Sequence, residues 1–162
     1  MSTVNVTHNT SQVIGAYRKL EKKFAFATRK AASRGGRVLR DAIREQIPPP
    51  RGAGNFPGYA AKGTLRRAIV DTEPQNRPRA NDWQVSVVVN ESSPARVYAH
   101  IHNVGGVIRA KNAPYLKFKI GNQWIQVQSV RIRRKSYMAQ GVKLARERMK
   151  PAIRGAFIHE IR

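Results

Sequence analysis

The sequence predicts an α+β fold in which a long N-terminal helix and a C-terminal helix pack on a small antiparallel sheet. Apolar residues recur every three or four positions from residue 11 into the forties, and do so again over the last segment of the chain. Between these two stretches lie short runs of alternating apolar and polar residues, punctuated by Gly, Pro and Asn.

The first stripe is Val13, Tyr17, Leu20, Phe24, Ala27, Ala31, Val38 and Ala42, with Arg18, Lys19, Lys22, Lys23, Arg29 and Lys30 in between. Gly35 and Gly36 each cost a helix about 1 kcal/mol relative to Ala, which predicts a kink or a split there. Pro48, Pro49 and Pro50 end the helix, because proline has no N–H and restricts the residue before it. Residues 48–63 are rich in Pro, Gly and small side chains and read as a long loop. Residues 1–10 read as a flexible arm, and 11–162 as a single domain, the amount of chain that one modest core accommodates.

The run Val85, Val87, Val88, Val89 reads as a strand. Val97 to Val104 fits a short helix stopped by Gly105, although the alternation of Tyr98, His100 and His102 would also fit a strand. Leu116, Phe118 and Ile120 alternate with lysines up to Gly121-Asn122, and Trp124, Ile125 and Val127 follow, the strongest hairpin signal in the chain. Met138, Val142, Ala145, Met149, Ile153, Ala156, Phe157 and Ile161 form the second helical stripe, which Pro151 is expected to bend or restart.

Lys and Arg number 31 against 9 Asp and Glu, a formal charge of +22. Self-repulsion on that scale calls for an acidic partner, either nucleic acid or an acidic protein surface. With no cysteine, disulfides, thiolate metal sites and cysteine nucleophiles are excluded. No apolar run reaches the roughly 20 residues of a membrane span, and the polar N-terminus does not resemble a signal peptide, so no membrane partner is expected.

Catalytic chemistry finds little support. The acids are scattered among basic residues, where ion pairing is the better reading than general acid–base work. His100 and His102 share a face on a strand but diverge by about 200° on a helix, and no third metal ligand is evident. Gly105-Gly106 lacks the strand, spacing and helix of a phosphate loop. No catalytic, cofactor-binding or metal site is therefore assigned, and the protein reads as a non-enzyme.

The basic residues are clustered. Arg131, Arg133, Arg134 and Lys135 form one knot, and Lys143, Arg146, Arg148, Lys150 and Arg154 continue it along the last helix; Arg131, Arg133, Arg134, Lys135, Lys143, Arg146, Lys150 and Arg154 are the candidate contacts for DNA or an acidic partner. Tyr59, Tyr98, Tyr115 and Trp124 are candidate subunit contacts.

Three landmarks, in this order, resemble the neck and tail-completion proteins of long-tailed bacteriophages, a group also described as minor tail or virion morphogenesis proteins. They are Gly63-Thr64-Leu65-Arg66-Arg67-Ala68-Ile69; Tyr98-Ala99-His100-Ile101-His102-Asn103-Val104-Gly105-Gly106 with the following Ala113-Pro114-Tyr115-Leu116-Lys117-Phe118; and Val130-Arg131-Ile132 through Tyr137-Met138. Ala68 replaces a small polar residue of the family pattern, Asn103 stands where Glu is common, and Lys135-Ser136-Tyr137 departs from an Arg-Pro-aromatic sequence. The resemblance implies a structural virion protein without catalytic residues, assembled in the host cytoplasm. It would form a homo-oligomeric ring, a hexamer or a dodecamer, at the head–tail connection as neck, tail-completion or tail-terminator protein. Its partners would be the adjoining connector and tail-tube proteins, with genomic DNA passing through the channel. The rival reading is a basic, non-catalytic nucleic-acid-binding protein.

Overall fold

The computed structural model describes residues 10–47, 64–77, 82–120 and 123–162. The 48–63 loop, Tyr59 and the Gly121-Asn122 turn lie outside the described residues. The element order is α1 (Thr10–Gln46), α2 (Thr64–Ala68), β1 (Ile69–Asp71), β2 (Gln75–Asn76), β3 (Trp83–Gln84), β4 (Val87–Val89), α3 (Arg96–Val104), β5 (Gly106–Arg109), β6 (Leu116–Ile120), β7 (Gln123–Val127), β8 (Ser129–Ile132) and α4 (Tyr137–Ile161). The fold is α+β, with the two long helices packed on each other and on short antiparallel strands.

Helices α1 and α4 run antiparallel, as three pairings spread along them show. Phe24 meets Phe157 edge to face at 5.7 Å between ring centroids. Gly35 lies under Ile153, and Gly141 lies under Ile43. Of the kink or split expected at Gly35-Gly36, the split does not occur, since α1 is continuous through both residues. Both are buried, and a Cβ on Gly35 would approach Ile153 Cδ1 to 3.1 Å while one on Gly36 would run into Val85. The glycines serve close approach, so tertiary packing outweighs their poor helix propensity. Helix α4 likewise continues through Pro151, which is exposed, so that the backbone carbonyl it leaves unbonded one turn earlier can meet water.

The strands form four separate two-stranded antiparallel ladders where one small sheet was expected: β1–β4, β2–β3, β5–β8 and β6–β7. The first packs on α1. Ile69 pairs with Val89 and Asp71 with Val87, which turns Ile69 into a core with Ile43, Ile47 and Tyr137, surrounded by Leu39, Leu65, Val87, Val89 and Met138. Val85 lies outside β4 and fills the notch over Gly36.

Strands β5 to β8 form a nested β-arm. The β5–β8 ladder pairs Gly106 with Ile132 and Arg109 with Ser129, and β6–β7 continues it with Leu116 opposite Val127 and Phe118 opposite Ile125. Ala110 donates its N–H to Gln128 O at 3.4 Å where the two ladders meet. The less exposed residues are Ile125 and Val127 before Gln128 and Val130 and Ile132 after it, so the alternation slips by one residue at this bend. Such a slip keeps the apolar residues in phase across the two ladders.

Candidate basic interaction surface

The three sequence landmarks converge on α3. Thr64 in α2 hydrogen-bonds Tyr98, whose phenol is half-buried and pushed to a higher pKa by that burial. The Tyr137 hydroxyl donates to Ala99 O at 2.9 Å, and Tyr137 is almost fully buried. Lys135 N–H donates to His102 O at 3.1 Å and Ser136 N–H to Asn103 O at 3.0 Å. Asn103 Oδ1 then accepts the Met138 N–H at 3.2 Å, capping one of the orphan donors of α4. Ser136, the residue at the N-cap position, is left-handed with φ 51° and makes no side-chain cap of its own.

These bonds fix how the chain leaves the β-arm and enters α4. Gly105, with φ 79°, ends α3 as expected, and a Cβ there would sit 2.8 Å from Arg134 N, so only glycine lets the strand end pass so close. The exposed Arg131, Arg133, Arg134 and Lys135 are thereby brought to the N-terminal end of α4. The first turn of α4 holds no acid. Positive charge placed beside the positive end of a helix dipole is unfavourable by itself and is relieved by an anion.

Along α4 the buried side is Tyr137, Gly141 and Ala145, followed by the half-buried Met149, Ile153, Ala156 and Phe157. Val142, expected in that stripe, is 40% exposed, and Gly141 takes the place against α1. Lys143, Arg146, Lys150 and Arg154 along the same helix are all exposed. At 100° and 1.5 Å per residue these four fall within an arc of about 80° and span about 16 Å of helix. None has an acidic partner among the described residues. Glu147, also exposed, lies at the edge of the same arc and is its one opposing charge. Arg148 is the contrast: its Nη1 sits 2.9 Å from both carboxylate oxygens of Glu45 and ties α4 to α1.

The other acids near the core are also engaged. Arg40 bridges Asp41 at 2.9 Å and Asp71 at 2.7 Å, and its guanidinium is held more firmly protonated mainly by the hydrogen bond to Asp41. Arg44 donates two bonds, at 3.1 and 2.7 Å, to Ile69 O, clamping the α2–β1 junction onto α1. Among the described residues no three His, Asp or Glu converge in a way that could hold a metal ion. His100 and His102 lie on the helix α3, with His100 exposed and His102 half-buried. No described helix is long and apolar enough to cross a membrane.

Of the candidate subunit contacts, Tyr115 and Trp124 are exposed on the β-arm, at 50% and 64%. Lys117 Nζ lies 5.2 Å from the Trp124 ring centroid, a cation–π distance. Tyr98 is turned toward α2 within the chain. The capping role of Asn103 and the core position of Tyr137 have no periodic signature in the sequence. No protein-family model matches this chain, and no curated protein or solved structure matches it either.

Proposed function

We propose that this protein is a non-catalytic structural subunit of a tailed-phage virion, a ring component of the head–tail connection acting as neck, tail-completion or tail-terminator protein. One observation carries this reading: its apolar surface is distributed for neighbours rather than for itself. Among the described residues only Tyr137 and Ile69 are large side chains buried to the limit, whereas Val13, Ile14, Tyr17, Leu20, Val107, Ile108, Tyr115 and Trp124 are exposed on the first turns of α1 and on the β-arm. Two-stranded ribbons are marginal alone, and both outer edges of the β5–β8 ladder are unpaired among the described residues. Isologous or ring-closing contacts would complete such elements. The Lys143–Arg154 stripe and the Arg131–Lys135 knot would then face the DNA in the channel or an acidic adjoining ring.

Light scattering on the purified protein, at low and high salt, with and without duplex DNA, tests this. A closed oligomer, or a monomer that assembles only on purified tails or portal-bearing heads, is the expected result. A stable monomer that ignores phage structures and coats DNA as salt falls would overturn it and favour the second reading, a basic nucleic-acid-binding protein. That second reading draws on the exposed Trp124 with Lys117 over its ring, an arrangement suited to stacking on unpaired bases.

A further inference from the structure

Helix α1 carries a second row of exposed cations. At 100° and 1.5 Å per residue, Lys19, Lys23, Lys30, Arg34 and Arg37 fall within an arc of about 60° and run for about 27 Å along the helix. All five are exposed, and none has an acidic partner among the described residues. Glu21 lies about 140–180° round the helix from them. The first acid that shares their arc is Asp41, which Arg40 already holds at 2.9 Å.

A row of one sign and this length is matched by a linear polyanion. Duplex DNA carries one charge per about 1.7 Å of its axis, so it offers phosphates along the whole of such a row, and each contact releases counterions. A lipid surface is matched less well, because a helix lying in it needs an apolar face beside its cations. Phe26 is the one large apolar side chain within about 20° of this arc.

The Glu45–Arg148 ion pair fixes where the row lies relative to the basic stripe of α4. On α1 every member of the row is within about 80° of Glu45, whereas Lys143, Arg146, Lys150 and Arg154 lie about 120–160° round α4 from Arg148. The row therefore faces the side of the helix pair that the ion pair marks, and the stripe is turned away from it. The other side is occupied by a groove in which Ala32 and Leu39 of α1 meet Met149 and Ile153 of α4 beside Trp83. DNA is stiff over about 50 nm. One duplex lying along the row cannot also lie along the stripe.

We propose that one chain holds two duplexes at once, one along the Lys19–Arg37 row of α1 and one on the α4 stripe with the Arg131–Lys135 knot, and so bridges DNA. The inference rests on the reading of that stripe and knot as a DNA contact, to which it adds the second surface.

The test is capture of a fluorescent duplex by an identical duplex fixed on beads, with the full chain at about 0.1 M salt, where the Debye length is about 10 Å. Anisotropy titrations report binding of a single duplex alongside. The α1 variant, with Lys19, Lys23, Lys30, Arg34 and Arg37 replaced by Gln, should capture at least tenfold less second duplex while still binding the first. The α4 variant, with Lys143, Arg146, Lys150, Arg154, Arg131, Arg133 and Arg134 replaced by Gln, should lose capture likewise. Its remaining single-duplex affinity should fall with salt at a slope of about 4 to 5, the value for five phosphate contacts. Exchanging Lys for Arg and Arg for Lys at the five α1 positions should leave capture intact. Every replaced residue is exposed, and circular dichroism checks the fold.

A parent protein that binds duplex without capturing a second one would overturn the proposal. So would capture by the α1 variant equal to the parent's, which would leave bridging to an oligomer that uses a single face. Loss of all DNA binding in the α4 variant would remove the α1 surface and leave the α4 reading standing. Loss of all binding in the α1 variant, with the α4 variant unchanged, would place DNA on α1 alone and sink the α4 reading together with the bridge. A parent that binds no duplex would refute both and leave the two surfaces to acidic proteins.

Discussion

Gly141 sits directly against Ile43, so that a Cβ placed on the glycine would lie 2.5 Å from the Ile43 Cα. This contact sets the distance between α1 and α4 near the core cluster of Ile43, Ile47, Ile69 and Tyr137. Backbone is on the far side of the gap, so neither helix can yield by a rotamer change. Gly141→Ala should therefore force the helices apart and destabilise the protein by about 1–3 kcal/mol, the usual cost of overpacking. Gly155 lies in the same helix with nothing within 4 Å of its Cβ position. Gly155→Ala should stabilise by about 0.5–1 kcal/mol through helix propensity alone. Urea denaturation of the two variants checks the pair, and equal midpoints would refute the close-approach account.

A second prediction concerns the junction between α3 and α4. Because Ser136 makes no cap, Asn103 supplies the acceptor for Met138 N–H. Asn103→Ala should cost about 1 kcal/mol. Asn103→Asp should retain the acceptor and add a favourable charge at the positive end of α4, so its stability should equal or exceed that of the parent at neutral pH. Ser136→Gly should stabilise slightly, since glycine adopts the left-handed conformation without a Cβ penalty. Thermal melts of the three variants give the order directly.

The long elements were legible in the sequence because their signals are local. The stripes of α1 and α4, the stop at Gly105 and the 116–127 hairpin each follow from spacing or turn chemistry within a few residues. What the sequence concealed depends on contacts between distant segments. Gly35 and Gly36 read as helix breakers until Val85 and Ile153 are seen lying on them. Val142 fits the periodic stripe, yet Gly141 faces α1 because only a residue without a side chain fits against Ile43. The basic cluster was legible as a composition, but its division into a paired Arg148 and an unpaired stripe depends on where Glu45 lies on α1.

A third prediction follows from His102. Burial, and then the nearby charge of Lys135, hold its imidazole below the ordinary histidine pKa, and the Tyr98 ring lies edge-on at 5.7 Å. The unfolded chain, with an ordinary histidine, therefore binds a proton at a higher pH than the folded one does. Between the lowered folded value and about pH 6.5 the unfolded state holds more protons, so stability rises with pH in that window and this contribution is lost as pH falls through it. His102→Gln should flatten that part of the stability profile while leaving the profile above neutral pH parallel to the parent. Chemical denaturation at several pH values between 5 and 8 decides it, and an unchanged slope in the variant would refute the assignment.

The fourth prediction separates DNA from protein as the partner of the basic surface. If the outer side of α4 contacts duplex phosphates, each of Lys143, Arg146, Lys150 and Arg154 releases counterions on binding, and the logarithm of affinity falls with the logarithm of salt at about 0.9 per contact. Replacing all four by Gln should then lower the slope by about 3 to 4, and replacing Arg131, Arg133 and Arg134 by Gln should lower it by about 2 to 3. Every replaced residue is exposed, so folding should survive, as circular dichroism will report. Glu147 supplies an internal control. It borders the stripe without being a phosphate ligand, so Glu147→Gln should tighten DNA binding at fixed salt and leave the slope nearly unchanged. A parent protein whose DNA affinity has a steep salt slope that neither set of substitutions moves would place DNA on another surface. The stripe would then be left to an acidic protein, for which loss of assembly onto purified tails in the fourfold variant is the corresponding measurement.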